Sequence, residues 1–205
     1  MPDFERWQAS WKRLGVNAPE EHTYAIVIAR YAEPQRKYHT MQHLDECFAH
    51  FDAARHLAER PDEVEVALWF HDAVYDVRAD DNEERSAEWA GHVATQLVRS
   101  SVAERISQLV LATKHNAAPP SPDAALLVDV DLAILGAVIA RFDEYEQQVR
   151  EEYAWVPGIL FRRERRKILQ GFLARPHVYS TEHFRTRYEQ PARANLTRSI
   201  ERLGG

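Results

Sequence analysis

The chain has a single cysteine, Cys47, in 205 residues. No intramolecular disulfide can form and no cysteine-rich zinc module is encoded. Cys47 itself reads as a small buried apolar residue. Glycine is scarce, seven in all, and none falls in a Walker loop, a dinucleotide fingerprint or a GxSxG elbow. No run approaches the roughly 20 apolar residues of a membrane span. The opening "MPDFERWQASWKRLG" places acids and tryptophans where a secretory leader needs a basic start and an apolar run. A cytoplasmic protein with no membrane partner is expected. Cations are the minority charge, 26 Lys and Arg against 32 Asp and Glu. A chain-wide basic footprint is therefore missing, and no nucleic-acid partner is expected.

What is present is helical periodicity. Phe4, Trp7, Trp11 and Leu14 recur at three- and four-residue spacing and Gly15 follows as a stop. "PEEHTYAIVIARYAE" opens with Pro19 and acids, and its run Ala25 to Ala29 is apolar all round, which predicts a central helix. Thr40 is placed to cap a helix through "MQHLDECFAHFDAARHLAE". Asp62/Glu65, Asp81/Glu84 and Ser101/Glu104 read as three capping boxes. Pro122 opens "DAALLVDVDLAILGAVIARF", and further helices are expected at "DEYEQQVREEYAWV", "ILFRRERRKILQGFLAR" and in the tail, where Pro191 is expected to bend or divide the helix. No alternating strand pattern of useful length occurs. The expectation is one all-α helical bundle of roughly ten helices.

Against that background a few polar residues stand out. His39 and His43 lie four apart in "YHTMQHL", and His71 and Asp72 are adjacent in "LWFHDAVYD". Asp129 and Asp131 interrupt the apolar "LLVDVDLAILG", where a carboxylate is expensive to bury without a partner. A divalent cation would be such a partner. Two imidazoles and two carboxylates suit Mn²⁺, Fe²⁺, Co²⁺, Ni²⁺ or Zn²⁺ better than Ca²⁺, with Mg²⁺ also admissible, as one or two ions. Arg36 and Lys37 either meet phosphate oxygens or are solvated cations in a turn. Lys114 and His115 end a helix, where cations favour the dipole. Asp76, four residues after Asp72, either orients a water or is a solvated helix-end carboxylate.

This order of His, His-Asp and a distant Asp resembles the HD-domain superfamily of metal-dependent phosphohydrolases. The motifs lie within roughly residues 20 to 145, with helices 146–205 packing on that core. Together with "TKH" and "EQPARANL", the chain looks like the small bacterial group described as predicted HD-superfamily phosphohydrolases. The resemblance implies His43, His71, Asp72 and Asp131 as metal ligands, with Asp129 as the alternative to Asp131. Cyclic-nucleotide phosphodiesterases show a similar "YHxxxH", and carried over it implies His39 as the general acid. By the same analogy His115 is a candidate for a second metal or for phosphate contact. The implied activity is hydrolysis of a small phosphoester, a nucleotide among the candidates, by a chain free to form homo-oligomers. The alternatives are a metal- or nucleotide-binding sensor with little turnover and a di-iron oxygenase, which needs more histidines between the HD pair and the last Asp than His92 and His115. "RRERRK" reads as a solvated helix face, with Glu151 and Glu152 as partners, and the tryptophans at 7, 11, 69, 89 and 155 as core.

Overall fold

Ten α-helices and no strand occur among residues 2–17 and 19–204, the part of the chain that the computed structural model describes. They are α1 (Phe4–Arg13), α2 (Glu21–Tyr31), α3 (Met41–Ala54), α4 (Pro61–Phe70), α5 (Asn82–Leu97), α6 (Ser100–Leu111), α7 (Pro122–Asp131), α8 (Ile139–Glu152), α9 (Gly158–Leu173) and α10 (Glu182–Gly204). They form two compact units, one through Val130 and one from Asp131 onward. Among the described residues no helix is long and apolar enough to cross a membrane.

The first unit is built around α4. Every residue from Glu63 to Phe70 is buried, and α1, α3, α5 and α6 pack on it. Trp69 meets Trp7 edge-on at 5.5 Å and Phe48 at 4.7 Å, and Phe70 meets Trp89 at 5.5 Å. Such ring pairs add to the area they bury. The expectation that α2 is central is overturned. Only its Val27 and Tyr31 are buried, and Ile26 is exposed. The uninterrupted apolar run Ala25 to Ala29 pointed to α2, whereas α4 carries Asp62 at its start and two acids, Glu63 and Glu65, within its buried stretch. Both acids lie inside, held by arginines: Arg105 grips Glu63 through two bonds of 2.6 and 2.7 Å, and Glu65 takes Arg6, Arg13 and Arg55.

Those ion pairs also explain why the predicted capping boxes are not built. α4 begins at Pro61, and Asp62 serves Arg13 at 2.7 Å. Asp81 does stand at the N-cap of α5 but makes no capping bond, while Glu84 is tied to Lys114. α6 starts at Ser100 behind Arg99, so Ser101 lies inside it. The predicted cap that forms is Thr40, whose Oγ1 accepts the Gln42 N–H at 3.3 Å. Gly15, at φ +90°, ends α1 in a conformation open to glycine.

In the second unit α10 packs along α9 and on the tight turn Leu132–Gly136, which also receives α8. A Cβ on Gly136 would lie 2.7 Å from that of Tyr188, so the contact requires glycine. α10 runs through Pro191 as one helix, undivided. Within "RRERRK", Arg165 is buried on the Tyr145 hydroxyl and Glu146, whereas Arg163 and Lys167 share Glu164 in solvent. Arg165 therefore pairs with Glu146, and Arg163 and Lys167 with Glu164. Trp155 is 53 % exposed, which removes it from the predicted core, and Trp89 is half-buried.

Candidate metal centre

The site is assembled from the start of α3 and the end of α4. Thr40 caps α3, which fixes His43 in the first turn and Cys47 one turn later on the same face. α4 stops at Phe70, so His71 and Asp72 stand just past its last residue. There the chain turns around Arg36. The buried guanidinium donates to the carbonyl oxygens of Asp72 (2.6 Å), Ala73 (3.2 Å) and His39 (3.3 Å) and to the Glu33 carboxylate (3.1 Å). Its carbon lies 5.4 Å from the Tyr31 ring and 5.6 Å from the Tyr75 ring. Arg36 therefore joins the "YHTMQH" segment to the HD turn. Three backbone carbonyls and the Glu33 carboxylate take four of its five N–H donors, and the guanidinium is buried, so a clamp stands where a phosphate contact was expected. Arg36→Ala is expected to cost about 3 kcal/mol, because it strips buried carbonyls of a charged donor. Arg36→Lys should recover little, since an ammonium cannot span the same acceptors. Urea denaturation reads this, and a change below about 1 kcal/mol would dismiss the clamp.

Three ligand-type atoms converge at this turn. His43 Nε2 lies 3.1 Å from His71 Nε2, and the Asp72 Oδ2 is 3.3 Å from the first and 3.2 Å from the second. An ion about 2.0–2.2 Å from each ligand sets neighbouring ligands about 2.8–3.1 Å apart in an octahedron and about 3.3–3.6 Å apart in a tetrahedron. The observed triangle falls between the two. The His71 Nδ1–H donates to the Leu68 carbonyl at 2.8 Å, which leaves the Nε2 lone pair of the neutral ring facing the triangle. This backbone-anchored tautomer is the one ligating histidines adopt.

The electrostatics agree. Burial alone would lower the His71 pKa, but the Asp72 carboxylate outweighs it and raises the pKa well above the ordinary value. Burial would likewise raise Asp72, yet the facing His71 and His39 hold it well below the usual carboxylate range. Without an ion, the positive charge beside Asp72 is a proton on His71, and a bound cation would take its place and leave the ring neutral. Tyr31, pushed up to about 12 mainly by burial, stays a neutral hydroxyl that donates to the Trp69 carbonyl and accepts the Asp72 N–H, each at 3.3 Å.

A second set overlaps the triangle. His43, Cys47 and His71 each offer one atom, all within 4.8 Å of one another. Asp131 is the last residue of α7 and the first of the second unit. Asp129, two positions earlier and so about 200° round the helix, is fully buried in the first unit. No family model, curated protein or solved structure matches this chain. The site is therefore read from its own geometry.

The remaining predicted residues are dispersed. His39, half-buried, stacks on Tyr75 at 3.9 Å, with its ring centroid 5.9 Å from that of His43. Asp76 is exposed and its carboxylate accepts the Arg78 N–H at 2.9 Å, so it belongs to the turn and not to the buried group. Lys37 donates to the Pro34 carbonyl at 2.8 Å, and Lys114 holds Glu84 and the Asp80 carbonyl. His115 stands at the end of a short 3-10 turn with φ 57°. Two residues escaped the sequence reading. Cys47 was taken for filler, yet its sulfur is 3.7 Å from both ring nitrogens of His43. Glu83 lies between Asp81 and Glu84, the pair read as a capping box. Burial raises its carboxyl pKa and the nearby negative Asp72 adds to the rise. The available signal for Cys47 was its i+4 spacing from His43.

Proposed function

We propose that the chain is a metal-dependent hydrolase of a small phosphoester, a nucleotide among the candidate substrates. The observation that carries this is the triangle of His43, His71 and Asp72, with edges of 3.1 to 3.3 Å. The order of its residues along the chain, like that of HD-domain phosphohydrolases, adds support. A divalent ion in such a site supplies a water acidified toward neutral pH and a positive charge for a phosphoryl oxygen. The protein's own residues do the rest. His71 is oriented by Leu68, and Asp72 is held by Tyr31 and Arg36. His39, stacked on Tyr75 beside His43, is suited to protonate the leaving oxygen. A cleft of about 380 Å³ borders the HD turn at Ala73, Val74, Tyr75 and Asp76, a size fit for a small substrate.

His39→Ala is expected to keep the ion and lose about 10²- to 10⁴-fold in rate, the range for a lost proton donor. The test is metal analysis of protein loaded with Mn²⁺, Fe²⁺, Co²⁺, Ni²⁺ or Zn²⁺, followed by a phosphoester screen. Loss of the ion would make His39 a ligand instead, and a wild type that takes up none of these ions would end the metal reading. A binding protein with little turnover is the second reading. It is favoured by the cations nominated for phosphate, since Arg36 is buried on carbonyls and Lys114 is paired with Glu84. The oxygenase reading gains nothing from His92, which is exposed on α5 and bonded to Gln96.

A further inference from the structure

The HD resemblance assigns no role to Cys47. The residue is 1 % exposed and lies one helical turn beyond His43, so the two side chains leave α3 on the same face. Its sulfur is 3.7 Å from both Nδ1 and Nε2 of His43 and within 4.8 Å of a ring nitrogen of His71. A metal with sulfur at about 2.3 Å and imidazole nitrogen at about 2.05 Å sets those two atoms about 3.6 Å apart in a tetrahedron and about 3.1 Å apart in an octahedron. The observed 3.7 Å is close to the tetrahedral value, but it is the same for Nδ1, so the sulfur faces the ring edge between the two nitrogens and reaches an ion on Nε2 by rotation about its Cα–Cβ bond. An apolar cavity filler would gain nothing from standing at the edge of two imidazoles and a carboxylate.

We propose that Cys47 is itself a metal ligand, so that the centre selects a thiophilic divalent ion of the zinc and cobalt class through His43, His71, Cys47 and a carboxylate. The inference rests on the metal reading above and deepens it by naming the kind of ion. A thiolate in the set disfavours Mg²⁺ and Mn²⁺, which prefer oxygen ligands. On binding, the sulfur–metal bond replaces the S–H bond and the proton passes to solvent.

Cobalt reports this directly. Apo-protein prepared with a chelator is titrated with Co²⁺, and the near-ultraviolet sulfur-to-cobalt charge-transfer band is recorded. With one cysteine in the chain, that band has one source. The expected result is one cobalt per chain with the band present and the intense visible absorption of tetrahedral cobalt. Zn²⁺ should displace the cobalt, and excess Mg²⁺ should not. Cys47→Ser should lose the band and bind cobalt about tenfold or more weakly. Cobalt bound stoichiometrically by the wild type without the band overturns the inference and leaves the metal reading standing. No cobalt bound overturns both. The wild-type spectrum decides even if Cys47→Ser does not fold.

Discussion

Asp72→Ala is expected to abolish metal uptake. The carboxylate is the anionic corner of the triangle, 3.2 and 3.3 Å from the two imidazole nitrogens. Without it, His43, His71 and the Cys47 thiol remain, and no carboxylate faces the two imidazole nitrogens to offset a dication. The alanine also leaves the backbone intact, so the clamp of Arg36 on the Asp72 carbonyl survives. Two measurements read the outcome. Metal content after equilibrium dialysis should fall from one ion per chain to background. In thermal denaturation, a free ion at a hundred times its dissociation constant should stabilise the wild type by about 2.7 kcal/mol and leave Asp72→Ala unmoved. For a chain of this length that is a rise of about 5–10 °C. Asp76→Ala is the control, because its carboxylate lies in an exposed turn. Wild-type affinity in Asp72→Ala would remove the triangle as the binding site.

Glu65→Ala is expected to cost about 3 kcal/mol, a fall of about 10 °C in midpoint. The Glu65 side chain is 3 % exposed and faces three guanidiniums, with Arg6 at 3.0 Å and Arg13 and Arg55 in direct contact. Asp52 and Asp62 complete the network. Removing Glu65 turns a balanced set of three cations and three anions into one with an excess positive charge inside the helix packing. The cost is that of an orphaned buried charge, and it exceeds what the pair contributes over an apolar substitute. Asp52→Ala should cost under about 1 kcal/mol, because Asp52 is mostly solvated. Equal losses in the two variants would show that position in the network does not matter. A Glu65→Ala loss below about 1 kcal/mol would show that the three arginines find other partners.

The ends of α4 show how far a sequence reading reaches. The apolar run "VALWF" and the HD pair behind it mark a buried helix with polar residues at its exit, and both features are legible from residue type and spacing. Glu63 and Glu65 are not, because a carboxylate looks the same in sequence whether water or an arginine 42 or 52 residues away solvates it. The same ambiguity misdirected the capping boxes, where Asp62 and Glu84 had stronger partners on other helices. Arg36 was misread for the converse reason. Its position before the histidines suggested a free cation, and only the returning HD turn brings the carbonyls that occupy it.

Residue order and helical period by themselves determined that the chain is all-α and that Thr40 caps α3, and the resemblance of the His, His-Asp order added His43, His71 and Asp72 as candidate ligands. Those are local properties, set by backbone propensity and by neighbours one turn away. Tertiary structure alone decided that α4 and not α2 is central, that Arg36 is a clamp, and that Cys47 stands with the imidazoles. Each of these depends on which face of a helix meets a segment distant in sequence, and helical spacing fixes the relative angle of two side chains without fixing what they face.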